Sequence, residues 1–381
     1  MLDCPAPYRG QVFTIIVTND CNLRCKYCYE TNKCNRGTVS LDDVDNLIKM
    51  LISGVFDIGL NSYEIDLLGG DALMHPDVCG KIIDTVLKRM VLDEFDGRNR
   101  VKFSICSNGT LFKRKEVRDF LLRYKPLLSL GVSIDGSPRL HDLNRVYKDG
   151  RGSMSDILSW WPWFKENFPE DSLYTKATLS KESIPYMYES IVFMHENLGL
   201  KYIHQNFIME NSHLTSSDLQ LFKEQLEKCS DYVYRHKDEL YWSMLDRIYT
   251  KRKKEGEVIP HTPRCGSGVM PTLDTDGSLY ACPRWCPFAI GDNTIKVGDV
   301  KTLTFNKAKA ELIHENAMRD KITKDEKCKL CAFEEQCAFC PAGCYGEFNE
   351  LKRTTHICPI TRVQSEVALN YWRRIDERVN S

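Results

Sequence analysis

From about residue 10 to residue 210, short apolar runs of β type alternate with longer stretches whose apolar residues recur three and four apart. That alternation is the signature of parallel βα units, in which each strand is covered by the helix that follows it. It predicts strands at 12–17, 64–68, 101–106, 128–134, 174–179 and 202–208. The first helix is the clearest: Leu41, Val44, Leu47, Ile48, Leu51 and Ile52 form one apolar face, and Ser40 followed three residues later by Asp43 is a start signal. Six units predict an α/β fold with a partial (β/α)6 TIM-type barrel over residues 1–210. Eight would be needed to close a full barrel, and the open side suits a peptide or macromolecular substrate.

Polar punctuation follows the strands. Gly69-Gly70-Asp71 ends the second, Ser107-Asn108-Gly109 the third, and Ser133-Ile134-Asp135-Gly136 the fourth. Gly, Asn and Asp are ordinary turn residues, yet in such barrels the C-terminal strand ends carry the chemistry. After the first strand come Cys21, Cys25 and Cys28. An iron–sulfur cubane takes one thiolate per iron, so three close thiols leave one iron open. The other reading is a tetrahedral zinc site with Cys34 as fourth ligand.

The spacing Cys-x3-Cys-x2-Cys, with Tyr27 before the last cysteine, resembles the radical S-adenosylmethionine (SAM) enzymes. The resemblance implies the partial barrel, a [4Fe-4S] cluster whose open iron is chelated by SAM, and a 5′-deoxyadenosyl radical that abstracts hydrogen from substrate. In relatives a Gly-Gly-Glu motif holds the SAM amino group, which implies that role for Gly69, Gly70 and Asp71, an acid one methylene shorter. The stretch from Ser133 through His141-Asp142 and Arg145 to Gly150-Arg151-Gly152-Ser153 resembles the subset of these enzymes that carry a SPASM domain. There the matching arginine pairs with the SAM carboxylate and the matching serine lies near the ribose, implying those roles for Arg145 and Ser133.

Beyond the barrel, residues 211–259 read as linker helices ending on the basic run Lys251 to Lys254, and residues 260–381 as a small cysteine-rich α+β domain with a C-terminal helix. Nine of the chain's 17 cysteines lie between residues 265 and 358. Asp276-Gly277 predicts a hairpin turn that brings Cys265 and Cys282 together. Cys328-x2-Cys331-x5-Cys337, then Cys340-x3-Cys344 and Cys358, resembles the SPASM pattern that holds two auxiliary [4Fe-4S] clusters. By that resemblance the first takes Cys265, Cys282 and Cys344 with Cys286 as fourth ligand, the second takes Cys328, Cys331, Cys337 and Cys358, and Cys340 is left over. Spacing alone also fits paired zinc ribbons. Trp160, Trp161 and Trp163 form an aromatic patch read as helix packing.

A formal net charge of -1 argues against non-specific nucleic-acid binding. No run of about 18 apolar residues predicts a membrane span, and the start Met1-Leu2-Asp3 lacks the basic and apolar parts of a signal peptide. Many cysteines in such a chain point to metal ligands in a reducing compartment, so the cytoplasm is expected. The resemblance adds a flavodoxin- or ferredoxin-type electron donor. Extra clusters suit net oxidation, since they can accept an electron from a substrate radical. Sulfatase maturases carry an acid directly after the cysteine matching Cys282; here that residue is Pro283. The leading reading is therefore a radical SAM oxidoreductase that forms a thioether or carbon–carbon cross-link in a ribosomally made precursor peptide. A small-molecule (sugar or nucleotide) dehydrogenase is the alternative, and a zinc-ribbon binding module is the alternative of another class. The catalytic base is unassigned: His204, His261, His356, Tyr280 and Trp285 qualify only by type or position.

Overall fold

The computed structural model describes residues 11–31, 37–56, 63–93, 101–168, 173–210, 212–246, 265–317, 331–333, 340–350 and 356–379. Six strands, β1 (Gln11–Thr18), β2 (Tyr63–Gly69), β3 (Val101–Ser107), β4 (Leu128–Val132), β5 (Leu173–Leu179) and β6 (Tyr202–Phe207), each pair in parallel with the next. The intervening helices are α1 (Leu41–Ile52), α2 (Pro76–Leu92), α3 (Lys115–Tyr124), α4 (Pro138–Asn144), α5 (Met154–Asn167) and α6 (Met187–Val192). Ser40 caps α1 as expected, its hydroxyl accepting from the Asp42 amide.

Register explains where the core sits. Phe13, Ile65, Phe103 and Leu128 lie side by side across four strands, and all are buried. One residue on, Thr14, Asp66, Ser104 and Ser129 form the neighbouring row on the opposite face. Strand side chains alternate between faces, so the apolar row packs under the helices while the polar row lines the barrel lumen. The tryptophan patch packs: Trp161 is buried, stacks on Phe164 and donates its Nε1–H to the Leu198 carbonyl at 2.9 Å.

Two short strands flank the six and have no counterpart in the sequence reading. β7 (Tyr241–Trp242) adds to β6, and β8 (Thr272–Leu273) adds to the other edge beside β1, both in parallel. Two residues carry no period, so pattern analysis cannot find them. Residues 211–259, read as helices alone, thus contain β7 after one long helix, α7 (Ser216–Arg235); the basic run lies outside the described residues. The predicted hairpin is present: β8 pairs antiparallel with β9 (Ser278–Tyr280), and Gly277 turns the chain at φ +92°. β10 (Gly298–Asp299) and β11 (Thr304–Phe305) extend it antiparallel, so the sheet has eleven strands among the described residues.

The tail adds α8 (Pro287–Ile290), α9 (Lys307–Ala317), α10 (Pro341–Phe348) and α11 (Cys358–Val379). α11 packs along α7, tied to it by Lys223 and Glu366 at 3.2 Å, and reaches past β7, where Trp372 Nε1–H donates to the Leu245 carbonyl at 2.6 Å. Among the described residues no helix is long and apolar enough to cross a membrane.

Candidate functional site

The three-cysteine loop is bolted down at both ends. At its start the Asp20 carboxylate accepts from the Cys21 amide at 2.9 Å. Further along, the amides of Arg24 and Lys26 donate to the carbonyls of Val146 (2.7 Å) and Asn144 (2.9 Å). Arg24 Nη1 clamps the Cys21 and Leu23 carbonyls at 2.8 and 2.7 Å, and Leu23 is fully buried. Cys21 is buried and Cys25 and Cys28 are half-buried. At the end of β3, Asn108 points its amide at the Cys21 sulfur, 3.9 Å away. Soft thiols from one rigid loop, partly screened from water and flanked by N–H donors, suit a [4Fe-4S] cluster with one iron left for another ligand.

Glycine is required where β2 meets this loop. The amides of Gly70 and Asp71 donate to the Thr18 and Asp20 carbonyls at 3.0 and 2.9 Å. A Cβ on Gly69 would sit 2.0 Å from the Thr18 oxygen, one on Gly70 2.2 Å from that of Asp20, and Gly69 holds φ +144°. Asp71, expected to hold the SAM amino group, has its carboxylate engaged by protein donors. That carboxylate accepts from the Leu73 amide (3.0 Å), the Ser107 hydroxyl (3.0 Å) and the Asn108 amide (2.8 Å), buried between the ends of β2 and β3. In this structure its side chain braces the strand ends.

Arg145 is likewise held by protein groups. Its Nε lies 3.0 Å from the Asp135 carboxylate, which is fully buried, while its guanidinium stands 5.5 Å over the Tyr27 ring. Tyr27 donates its hydroxyl to the same Asp135 oxygen, and the Thr178 amide donates to the other at 2.9 Å. Burial opposes the charge on Arg145, yet Asp135, Tyr27 and Cys25 together hold its pKa above the usual arginine value. Asp135 engages the Nε side of this guanidinium; the SAM carboxylate expected from the resemblance would be a further partner.

The rest of the stretch from Ser133 to Ser153 is a hydrogen-bonded bracket. His141 Nδ1 accepts from the Asp135 amide at 3.3 Å, and Nε2 lies 3.0 Å from the Ser153 hydroxyl, which itself donates to the Arg145 carbonyl at 2.8 Å. The Ser153 proton is thus committed, so Nε2–H is the donor and the imidazole is neutral. Burial, then the Arg145 charge, keep its pKa well below the usual histidine value. Asp142 accepts from the amides of Ser153 and Met154 at 2.8 and 2.9 Å, opening α5. Ser133 is half-buried on the lumen side, its Oγ 3.6 Å from the Cys106 sulfur.

The lumen holds groups the sequence reading passed over. Lys176 projects from β5 into space that water reaches although protein surrounds it; Cys106, then Asp66, Tyr174 and Glu64 favour its charge against the opposing effect of burial. Burial raises the Asp66 carboxyl, which accepts from Ser104 at 2.9 Å, and pushes Tyr174 up to about 12. His204, between Tyr174 and Tyr241, is lowered by burial and then by Lys176. The available signal was the polar alternation 64/66, 102/104/106 and 174/176/178.

In the tail, Cys340 is a near neighbour of both Cys265 and Cys282. Sequence order had left Cys340 over; the structure sets it beside these two, at the N-cap of α10, with its sulfur accepting from the Gly343 amide at 3.4 Å. Cys344 follows one turn later and is buried. Cys286 is fully buried near Cys282 and Asp274, and burial raises its thiol far above the ordinary value. Burial also pushes Cys282 up to about 12. A metal cluster takes its cysteine ligands as thiolates, so binding one would release these protons. Cys331 and Cys358 are half-buried; Cys328 and Cys337 lie outside the described residues.

Between the cysteine loop and the tail lies a cavity of about 660 Å³. Lys26 and Tyr29 line it from the loop, Glu182 and Glu210 from beyond β5 and β6, and Arg284 and Glu347 from the tail. Arg284 joins the three parts. It pairs with Glu210 at 2.6 Å, stands 4.7 Å over the Tyr29 ring and donates to the Cys340 sulfur. Of the histidines singled out by type, His356 borders this region, with Nε2 2.6 Å from the Met209 carbonyl and Nδ1 3.8 Å from Glu347. Tyr280 and Trp285 are buried, and His261 is outside the described residues.

Residues 15–189 match the family model described as the radical SAM superfamily. The cysteine-type anaerobic sulfatase-maturating enzyme of Clostridium novyi is 21% identical over 356 residues, covering 86% of this chain and 85% of its own. A solved structure described as native anSMEcpe with bound AdoMet and Cp18Cys peptide aligns at TM-score 0.73 and 17% identity, over 97% of this chain and 99% of that one. Streptococcus suis SuiB bound to precursor peptide SuiA aligns at TM-score 0.59 and 16% identity, over 91% and 75%. At these identities the structural likeness speaks to the fold: a mixed α/β architecture on a parallel sheet. The family match runs from within β1 into α6 and so takes in the thiol loop and its braces: residues 15–189 are a radical SAM domain, and the chain is an enzyme that carries it.

Proposed function

We propose that this enzyme oxidises a ribosomally made precursor peptide, joining two of its side chains by a thioether or carbon–carbon bond. The observation that carries this reading is the cavity itself. It runs from the cysteine loop to the tail, is large enough for several side chains, and presents both cations and carboxylates, as a peptide's termini and polar groups require. The relatives add support: anSMEcpe and SuiB were both solved with peptides bound. Pro283 follows Cys282, where formylglycine formation would call for an acid.

Cys21, Cys25 and Cys28 would hold the [4Fe-4S] cluster that binds SAM; when bound, the pair supplies reductive SAM cleavage and hydrogen-atom abstraction. Backbone groups at Gly69 and Gly70 and the lumen side of Ser133 shape the space beside it. The Tyr27–Asp135–Arg145 cluster fixes the loop and leaves the guanidinium's remaining donors for a carboxylate ligand. We read residues 260–381 as the part that would hold two auxiliary clusters. Cys265, Cys282 and Cys340 form the nucleus of one, with Cys286 and Cys344 the thiols in reach of its fourth corner; Cys328, Cys331, Cys337 and Cys358 would hold the other. Cross-linking removes a hydrogen atom, an electron and a proton from the peptide; an auxiliary cluster would take the electron, and a carboxylate of the cavity wall such as Glu182 or Glu347 would take the proton.

The test is anaerobic incubation of purified enzyme with dithionite, SAM and the short peptides encoded beside its gene, read by mass spectrometry. A peptide that loses two hydrogens with matching 5′-deoxyadenosine is expected. If no peptide changes while a sugar or nucleotide is dehydrogenated, the peptide reading fails.

A further inference from the structure

We propose that His195, His236 and Glu239 bind a divalent metal ion of the zinc type, forming a clasp across the N-terminal ends of β6 and β7. The three ligand atoms lie within 4.8 Å of one another. His195 Nε2 and His236 Nδ1 stand 3.9 and 3.8 Å from the same Glu239 oxygen. Zinc with bonds of about 2.0–2.2 Å spaces tetrahedral ligands about 3.3–3.5 Å apart. On the two legs to Glu239 closing the gap takes a few tenths of an ångström, and Glu239, with 69% of its side chain exposed, is free to swing; the two imidazole nitrogens, within 4.8 Å of each other, must close as well.

The proton arrangement around His195 points the same way. Tyr232 donates its hydroxyl proton to Glu196 at 2.9 Å, so the oxygen 2.8 Å from His195 Nδ1 must accept there. Nδ1 therefore carries the proton, and Nε2 faces Glu239 with a bare lone pair. A lone pair against a carboxylate is repulsive unless a cation stands between them. A metal ion removes the conflict. A histidine whose second nitrogen is held by an outer partner is the usual arrangement at metal sites.

Both imidazoles are held in place before any metal arrives. The Tyr232 ring lies 4.5 Å from that of His236 and 5.8 Å from that of His195. His195 belongs to a π-turn over Phe193–Asn197, an irregularity frequent at functional sites. His236 ends α7, and its carbonyl accepts from the amides of Glu239 and Leu240 at 2.9 and 2.8 Å, which fixes the turn bearing the carboxylate. The two turns lead into β6 and β7 at the N-terminal face of the barrel, where binding serves stability. Open coordination positions would be filled by water.

The experiment uses untagged, cluster-loaded protein dialysed anaerobically against micromolar zinc, with zinc and iron counted per chain and the melting temperature recorded. Wild type should hold one zinc more than Glu239→Gln and His236→Ala, at equal iron, and its melting temperature should rise with zinc while theirs stays put. Tyr232→Phe should weaken zinc binding about tenfold or more. 5′-Deoxyadenosine formation should be the same in wild type and Glu239→Gln. Equal zinc in wild type and Glu239→Gln, an exposed substitution that leaves the fold intact, would overturn the proposal.

Discussion

The cysteine loop and the cysteine-rich tail both gather thiols, but they do so by different means. In the loop, three cysteines within eight residues ride on one segment whose backbone is hydrogen-bonded to residues 144–146 and whose flank is closed by Tyr27, Asp135 and Arg145. In the tail, Cys265, Cys282 and Cys340 come from three separate segments, joined by a hairpin and a helix cap. Local spacing therefore organises the first group. The second exists only once the sheet edge at β8 has formed, and Arg284 is the residue that spans the two.

The sharpest way to separate them is a pair of single changes. Cys25→Ala should abolish 5′-deoxyadenosine formation while most tail iron remains, whereas Cys340→Ala should lower tail iron and stop product formation while SAM cleavage continues. Iron analysis with a SAM-cleavage assay reads both, and loss of SAM cleavage in Cys340→Ala would merge the two regions into one.

Next in size is Asp135→Ala, which strands the buried Arg145 and removes the acceptor of Tyr27. Breaking a buried pair by removing one partner costs about 3–5 kcal/mol, so the urea midpoint should fall steeply. A change of under about 1 kcal/mol would show that the loop does not depend on this cluster. Gly70→Ala drives a methyl group into the Asp20 carbonyl. It should cost about 1–3 kcal/mol and weaken SAM binding in equilibrium dialysis, without touching tail iron.

The smallest effect is on pH. His141 stays neutral in the fold because burial, then Arg145, lower its pKa, while the unfolded chain takes up a proton below about 6.5. The unfolded state then binds more protons, so stability should fall as pH drops, by about 1.4 kcal/mol per pH unit from this group. Replacing it, as in His141→Gln, should flatten the slope of denaturation midpoint against pH between 6.5 and 5; an unchanged slope would assign the acid sensitivity elsewhere.

Much of this molecule is readable from residue order. The six strands and their order follow from apolar runs, because a strand buried under a helix must be apolar along one face. The thiol loop is visible because its cysteines are neighbours. Direction is what could not be read. Asp71 and Arg145 sit in the motifs that mark them, but their partners in the fold, Ser107, Asn108 and Asp135, are not recorded there. Lys176 and Asp66 passed unnoticed because a polar alternation within a strand says which residues share a face, not that the face encloses a lumen.

Pattern and spacing thus decided the architecture and the place of the thiol loop, since both arise from interactions between residues close along the chain. The union of Cys340 with Cys265 and Cys282, the cavity that Arg284 bridges, and the meeting of His195 with Glu239 were decided by folding alone. Each brings together groups from segments far apart in the chain, and no local periodicity records which of them will meet.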